Sequence, residues 1–506
     1  MTAIPDGYTS ASMIVSYIRK HFPDIEVIYI FHEGRQHGLT PAIMEQLEFL
    51  KPDLLLLPDS SSSDLEQHSI LKSNGVDIIV LDHHDLSEES KDAIIVSNHE
   101  IVSLEYSNRE LSGAGIVLKF IEALDMEYGI DESKNYYDLA AVGCVADMVT
   151  ILHPETRYYI YEGLKNVKNS FIRQLIYKNA YHALNEAYPK IVSWHISNFM
   201  NATIRMGTQE DKDTMFRALL GEKETLHRIS KYRGVEKEVS EELHETAVRL
   251  ATNARSRQNT LKKKLISNIK EEIELKKIDE NSFIIVTLDE FKEGFSGFVA
   301  GDLVKVFRKP VLITSWNEEA QSYTGSLRGY DAVMLDTRKY LDGLGLFNFA
   351  SGHGQAAGVS FTKDNLARIN RTINNEIGDT TTPIEVDFEI SSKMLNESLV
   401  KEFYQYNFLW CKGFDEPIVI VKDVELNCAN ITFGNTMKAT VNGVELMAFQ
   451  IDERLQDLAK DKKIAVCDVI GSLEINHYLG KETPQMKIES LIIKEVKDDL
   501  FNGFLF

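Results

Sequence analysis

The sequence predicts an α/β protein: a doubly wound parallel sheet with a helical cap, a long connecting helix, a second α/β unit and a C-terminal β-barrel. Three observations carry that expectation. Between residues 25 and 98, short apolar runs alternate with helix-forming stretches, the pattern of a parallel sheet whose strands are joined by helical crossovers. Beyond residue 110 the strands stop and apolar residues fall at helical spacing. Toward the C-terminus, short strand-like runs return, separated by turn residues.

In the first unit, residues 25–31, 54–57, 78–81 and 93–96 read as strands, and 42–50 and 64–73 as helices. Residues 115–124, 136–146 and 158–167 form the helical cap. From about 222 to 277 there is hardly a breaker except Gly234, and charges of both signs interleave with Leu250, Leu261, Leu265 and Ile269. This stretch predicts a long, solvated helix broken at most once. A second α/β unit opens at 283–287, continues through 310–314 and ends near Gly378, where 379–383 form a polar linker. The runs 418–424, 436–441, 444–450, 465–473 and 485–492 then suit a small barrel of the OB type.

Composition narrows the function. With 506 residues, 43% apolar and 26% charged, the chain is a soluble protein of several domains. Nothing approaches a membrane span or a secretory leader, so a cytoplasmic protein is expected, with no membrane partner. Cys144, Cys411, Cys428 and Cys467 are scattered and form no Cys-x-x-Cys pair, which disfavours a zinc knuckle, an iron–sulfur cluster or a redox dithiol. The net charge of −22 argues against broad attraction to nucleic acid. Any polyanion must be held by local cations or by metal.

Chemistry is expected where strands end, because ligands of open α/β sheets gather outside the carboxyl ends of the strands. The run ending at Leu81 delivers Asp82-His83-His84, and the run ending at Pro58 delivers Asp59. An Asp after a strand often only caps a turn, but a turn gains nothing from two adjacent imidazoles. With Asp6, just before a helical stretch, and Asp147, closing another, these residues make a carboxylate-rich set with one imidazole. Such a set suits Mn2+ or Mg2+ better than zinc.

These residues resemble the DHH phosphoesterase superfamily, and more closely its RecJ-type branch of single-strand-specific exonucleases. The likeness runs nearly end to end. Leu111-Ser112-Gly113-Ala114-Gly115 and residues 138–149 are similar to the helical half of that catalytic core. Asn201-Ala202-Thr203-Ile204-Arg205-Met206-Gly207 is similar to the signature Asn-Ala-Ala-Gly-Arg-Met-Gly, with Ile204 in place of glycine. Ser351-Gly352-His353-Gly354 resembles the Gly-Gly-His motif of the DHH-associated domain, Gly325-Ser326-Leu327-Arg328 the segment before it, and residues 468–480 the RecJ OB domain.

The resemblance implies a DHH catalytic domain over 1–185, a helical connector over 186–278, a DHH-associated domain over 279–378 and an OB-like domain over 384–506. It implies that Asp59 bridges two Mn2+ or Mg2+ ions and that Asp6, His83 and Asp147 complete the shell of one. Asp82 would orient His83, and His84 would touch the scissile phosphate. Arg205, Arg328 and His353 would hold phosphate oxygens, with Asn201, Ser351, Gly352 and Gly354 contacting the phosphate or the strand. The implied substrate is single-stranded DNA, degraded from its 5′ end through a channel between the α/β units. Tyr478 and Phe433 are candidate stacking platforms on the barrel, and a single-strand-binding protein or a helicase is the implied partner.

One departure stands out. The family pattern is Asp-x-Asp-x-Asp-Gly at the end of a first strand, whereas Thr2 and Ile4 occupy two of those positions. Either the true start lies upstream, or the enzyme is weakened by a depleted second metal site, or the chain is a silent single-strand-binding protein. The intact set of four ligands favours the first two. A rival activity, on short oligonucleotides or cyclic dinucleotides, is disfavoured by the OB-like segment, which a very small substrate does not need.

Overall fold

The computed structural model describes residues 4–32, 37–180, 187–232, 234–288, 296–330, 333–377, 384–434, 436–449, 453–478 and 481–498. Thr2 and the linker 379–383 lie outside them. The chain divides into two compact units, residues 1–255 with 386–506, and residues 256–385.

The first unit opens with α1 (Pro5–His21), started by a proline that cannot donate at a position where no donor is needed. Next come α2 (Pro41–Leu50), β1 (Leu54–Pro58), α3 (Leu65–Ser73), β2 (Asp77–Leu81) and β3 (Ile94–Val96). The strands form a parallel sheet in the order β1-β2-β3, registered Leu56 to Ile79 and Leu81 to Val96. The parallel sheet and both helices are where the sequence predicts them, although of the two only α3 connects strands of this sheet.

The expected strand over 25–31 is not formed. Val27, Tyr29 and Phe31 pack on the main core while Ile28 is exposed, so the alternation of an extended segment is present. The segment belongs to no ladder among the described residues, and backbone pairing, not alternation, makes a strand.

The helical cap follows as α4 (Gly113–Tyr128), α5 (Tyr137–Ala146), α6 (Pro154–Lys165), α7 (Ser170–Ala180) and the short α8 (Pro189–Ile191). A π-helical turn, Val192–Ser197, then leads into α9 (Asn198–Met206) and α10 (Gln209–Leu219). Their apolar faces enclose one core with α1, including Met13, Tyr17, Leu118, Phe171 and Phe216, each 1% exposed or less.

The single helix expected over 222–277 is also corrected. Thr225–Tyr232 (β4) and Val235–Glu242 (β5) pair as an antiparallel hairpin, and only Leu243–Leu275 is helical (α11). Gly234, at φ +84°, supplies the left-handed backbone that the tight turn requires. Paired Arg228 and Glu241, joined at 2.7 Å, show that charges taken for a solvated helix face are cross-strand partners.

In the second unit, β6 (Ile284–Leu288), α12 (Ser296–Phe307), β7 (Val311–Asn317), β8 (Ser322–Arg328), α13 (Thr337–Gly343), β9 (Phe349–His353), β10 (Ala356–Phe361) and α14 (Leu366–Glu376) form an α/β fold. Its sheet runs β6-β7-β8-β10-β9, with only β6 and β7 parallel.

The C-terminal part holds β11 (Phe388–Ser391), α15 (Glu397–Tyr404), β12 (Val419–Asn427), β13 (Thr432–Phe433), β14 (Met437–Val441), β15 (Val444–Ala448), α16 (Glu453–Lys460), β16 (Lys463–Tyr478) and β17 (Lys481–Asp498). Among the described residues seven strands, not five, share one sheet, because β11 and β13 are too short to stand out in the sequence. β16 bulges at Val466/Cys467 and at Ile470/Gly471, which bends a long strand enough to curl the sheet. This sheet is fastened to the helical cap: Lys190 reaches Glu416 at 3.1 Å and Glu474 at 2.8 Å, and Ile151 N–H donates to the Lys412 carbonyl. No helix among the described residues is long and apolar enough to cross a membrane.

Candidate metal and phosphate site

The site forms where two strand exits meet two helix ends. Past β1 the ladder continues one residue, Asp59 N–H donating to the Leu81 carbonyl at 2.8 Å. Asp59 then turns left-handed at φ +59°, a conformation that Asp tolerates better than most side chains. β2 ends likewise, with Asp82 N–H bonded to the Val96 carbonyl. Asp6 lies in the first turn of α1, where the helix dipole favours a negative charge. Asp147 caps the C-terminus of α5.

All four residues expected to bind metal come together. His83 Nε2 lies 3.4 Å from Asp59 Oδ1 and 3.5 Å from Asp147 Oδ2. Asp6, His83 and Asp147 form one group of potential ligands, and Asp59, Asp82, His83 and His84 a second, the offered atoms in each lying within 4.8 Å of one another. Asp6 Oδ1 accepts from Ser112 Oγ at 2.8 Å and from Ala114 N–H at 3.1 Å. Its Oδ2, like His83 Nε2, is buried with no hydrogen-bond partner among the described residues. Buried polar atoms left without partners are costly, and a divalent cation would satisfy both. Burial, then the charge of Asp6, pushes the Asp147 carboxyl up to about 7, as expected where carboxylates crowd together without a cation. Three carboxylates and an imidazole therefore fit Mn2+ or Mg2+.

Two glycines make room for this cluster. A Cβ on Gly113 would stand 2.5 Å from Asp59 Cβ, and one on Gly143 would overlap Asp6 Oδ1.

Asp82 does not orient the ring of His83. Its Oδ1 accepts from the His83 backbone N–H at 2.8 Å and faces the ring Nδ1 of His84 at 2.7 Å. Its Oδ2 is held by Ser62 through Oγ at 2.8 Å and through N–H at 3.2 Å. Burial would raise the Asp82 carboxyl, but the hydrogen bond from His84 and the nearby imidazoles hold it down to about 2. The same bond raises His84 above its ordinary value, against the effect of burial. His84 is about half exposed, its side chain 47% accessible. Sequence reasoning missed Ser62, although four serines directly after Asp59 offered donors at a strand exit.

Asn201 and Arg205 lie one turn apart on α9, which packs on α1. Asn201 Oδ1 is buried with no hydrogen-bond partner among the described residues. In the second unit, Ala356 of β10 pairs with Arg328 of β8 on one side and His353 of β9 on the other, which sets those two motifs at one end of that sheet. Gly352, at φ +132°, lies so close to the Ala356 carbonyl that a Cβ would stand 2.6 Å from it. Ser351 and Gly352 are exposed, and Gly354 turns between β9 and β10. The His353 and Tyr478 side chains lie outside the described residues. Phe433 is half-buried against the barrel core, which makes it a packing residue and not an open platform.

The chain matches the family model "DHH family, N-terminal domain" over residues 5–144 and "RecJ OB domain" over residues 386–490. It is 33% identical, over 97% of its length and 86% of the relative's, to the "Putative SPbeta prophage-derived single-strand DNA-specific exonuclease YorK" of Bacillus subtilis (strain 168). The chain belongs to the RecJ-type branch of the DHH family. The single-stranded-DNA-specific exonuclease RecJ of Bacillus subtilis (strain 168) is 24% identical over 97% of this chain and 60% of its own. In fold, RecJ of Thermus thermophilus in complex with Mn2+ superposes with a TM-score of 0.71 at 19% identity, covering 98% of this chain and 69% of that one. The RecJ-type assignment accounts for the barrel as well as the catalytic sheet.

Proposed function

We propose that this RecJ-type protein is a metal-dependent phosphodiesterase that removes nucleotides from single-stranded DNA, starting at the 5′ end. The observation that carries the reading is the convergence of Asp6, Asp59 and Asp147 on His83, with two buried ligand atoms, Asp6 Oδ2 and His83 Nε2, that make no hydrogen bond among the described residues. Asp6, Asp59, His83 and Asp147 would hold Mn2+ or Mg2+, which when bound activates water and neutralises phosphate charge.

The chain's own residues supply the remainder. With Nδ1 committed to Asp82, His84 presents Nε2 outward, and its raised basicity suits donation to a phosphate oxygen. Ser62 fixes Asp82, so the imidazole is held before a substrate arrives. Arg205 and Arg328 are suited to bidentate contact with phosphate. The barrel favours long strands over dinucleotides, and four cysteines without a disulfide suit work in the cytoplasm. A helicase or a single-strand-binding protein is the partner class that such a substrate calls for.

The test uses oligonucleotides labelled at either end. With Mn2+, 5′-labelled single strands should lose their label as mononucleotide at once, and 3′-labelled ones should shorten progressively. Release of 3′ label first would overturn the polarity, and no product from either would overturn the activity.

A further inference from the structure

The π-helical turn Val192–Ser197 is an irregular register, a feature that often marks functional positions. Here it buries Val192 and Ile196 and leaves Trp194 53% exposed. Opposite it on the barrel, Lys487 of β17 pairs with Met447 of β15. Phe449 lies just past the end of β15, two residues beyond Met447, and it is 59% exposed.

The Lys487 ammonium lies 5.8 Å from the Trp194 ring centroid and 5.4 Å from that of Phe449. Other lysines nearby are neutralised, Lys438 by Glu445 and Lys190 by Glu416 and Glu474. Lys487 forms no ion pair among the described residues. In a chain of net charge −22, an unneutralised cation between two exposed rings is complementary to an anion that carries flat apolar groups.

We infer that Trp194, Phe449 and Lys487 form a single-strand docking platform across the seam between helical cap and barrel, bases stacking on the rings and a backbone phosphate resting on the lysine. The inference rests on the proposed single-strand activity and adds to it a binding station outside the metal cluster. Stacking on aromatic side chains tolerates any base, which suits an enzyme that must hold whatever strand it is given. The competing role is mechanical, the lysine merely fastening barrel to cap through its two rings.

The test is equilibrium binding of fluorescein-labelled dT15 by the full chain in EDTA, read by anisotropy and by tryptophan quenching. Trp194→Ala and Phe449→Ala should each weaken binding by about tenfold or more. Trp194→Phe should keep most of the affinity but lose the quenching that Trp194 contributes. Lys487→Ala should flatten the dependence of log K on log salt by about 0.7. Phe49→Ala, an exposed aromatic elsewhere on the first unit, should change nothing.

Should Trp194→Ala not fold, the Phe449→Ala affinity and the Trp194→Phe quenching decide the matter. Wild-type binding with unchanged affinity in the ring variants overturns the platform, whether or not their melting temperatures fall. Failure of the wild type to bind dT15 would instead strike the single-strand reading itself.

Discussion

Asp82 Oδ1 stands 2.7 Å from Nδ1 of His84, while it meets His83 only at the backbone N–H. The adjacent imidazoles thus have separate tasks: His83 turns toward Asp59 and Asp147, and His84 is held by Asp82. Asp82→Asn and His84→Ala should each lower turnover by about 10- to 100-fold, the usual cost of losing an orienting partner. Because they act as one unit, the double variant should be little worse than either single one. Steady-state kinetics on a labelled strand would check this, and additive losses would mean that Asp82 serves His83 after all.

Gly113 leaves no space for a methyl group beside Asp59. Gly113→Ala should therefore displace the carboxylate, at a cost of about 1–3 kcal/mol in stability, and weaken Mn2+ binding. Calorimetric titration with Mn2+ checks the second effect; unchanged affinity would show that Asp59 is not a ligand.

The carboxyl of Asp147 offers a pH test on the metal-free protein. Its folded value of about 7 exceeds the roughly 3.9 of an unfolded Asp, so the folded state holds the proton more tightly. Stability from this group is greatest at low pH and is lost as pH rises from about 4 to about 7. A bound cation replaces that proton. The Mn2+-induced rise in melting temperature should accordingly be larger at pH 8 than at pH 5, and thermal melts in Mn2+ and in EDTA would show it. An equal rise at both pH values would count against the crowded-carboxylate account.

Lys190 lies between Glu416 and Glu474, all three partly buried. Lys190→Ala should leave two carboxylates facing each other and destabilise the first unit by roughly 1–3 kcal/mol, between the values for exposed and buried pairs. Denaturant melts would measure it. A change within error would mean that the barrel is held to the cap by its other contacts, the Ile151–Lys412 backbone hydrogen bond among them.

The strand exits were legible because β1 and β2 are continuous apolar runs, and such runs end where a parallel sheet opens. Asp59 and Asp82-His83-His84 followed from that pattern alone. The meeting of Asp6 and Asp147 with them was not readable from spacing, since it depends on how α1 and α5 pack; the sequence offered them as members of a carboxylate-rich set, and their ligand roles entered through family resemblance. The division of labour between His83 and His84 was hidden because it is a rotamer choice, decided by Ser62 and Asp82. The hairpin at β4 and β5 was hidden because its charged residues pair across strands, a pattern that composition cannot separate from a solvated helix. Segment 25–31 erred the other way: its alternation is real, but ladder formation needs a neighbour that the run itself does not specify. Trp194 and Phe449 gave no signal, since their meeting with Lys487 depends on how the barrel seats against the cap.

On the proposed reading, hydrolysis depends on a divalent cation held by Asp6, Asp59, His83 and Asp147. The most direct measurement compares wild type with His83→Ala for Mn2+ binding, for single-strand binding in EDTA and for Mn2+-dependent release of nucleotides. His83→Ala should lose Mn2+ affinity and all measurable cleavage while still binding the strand. Cleavage at the wild-type rate by His83→Ala would contradict it.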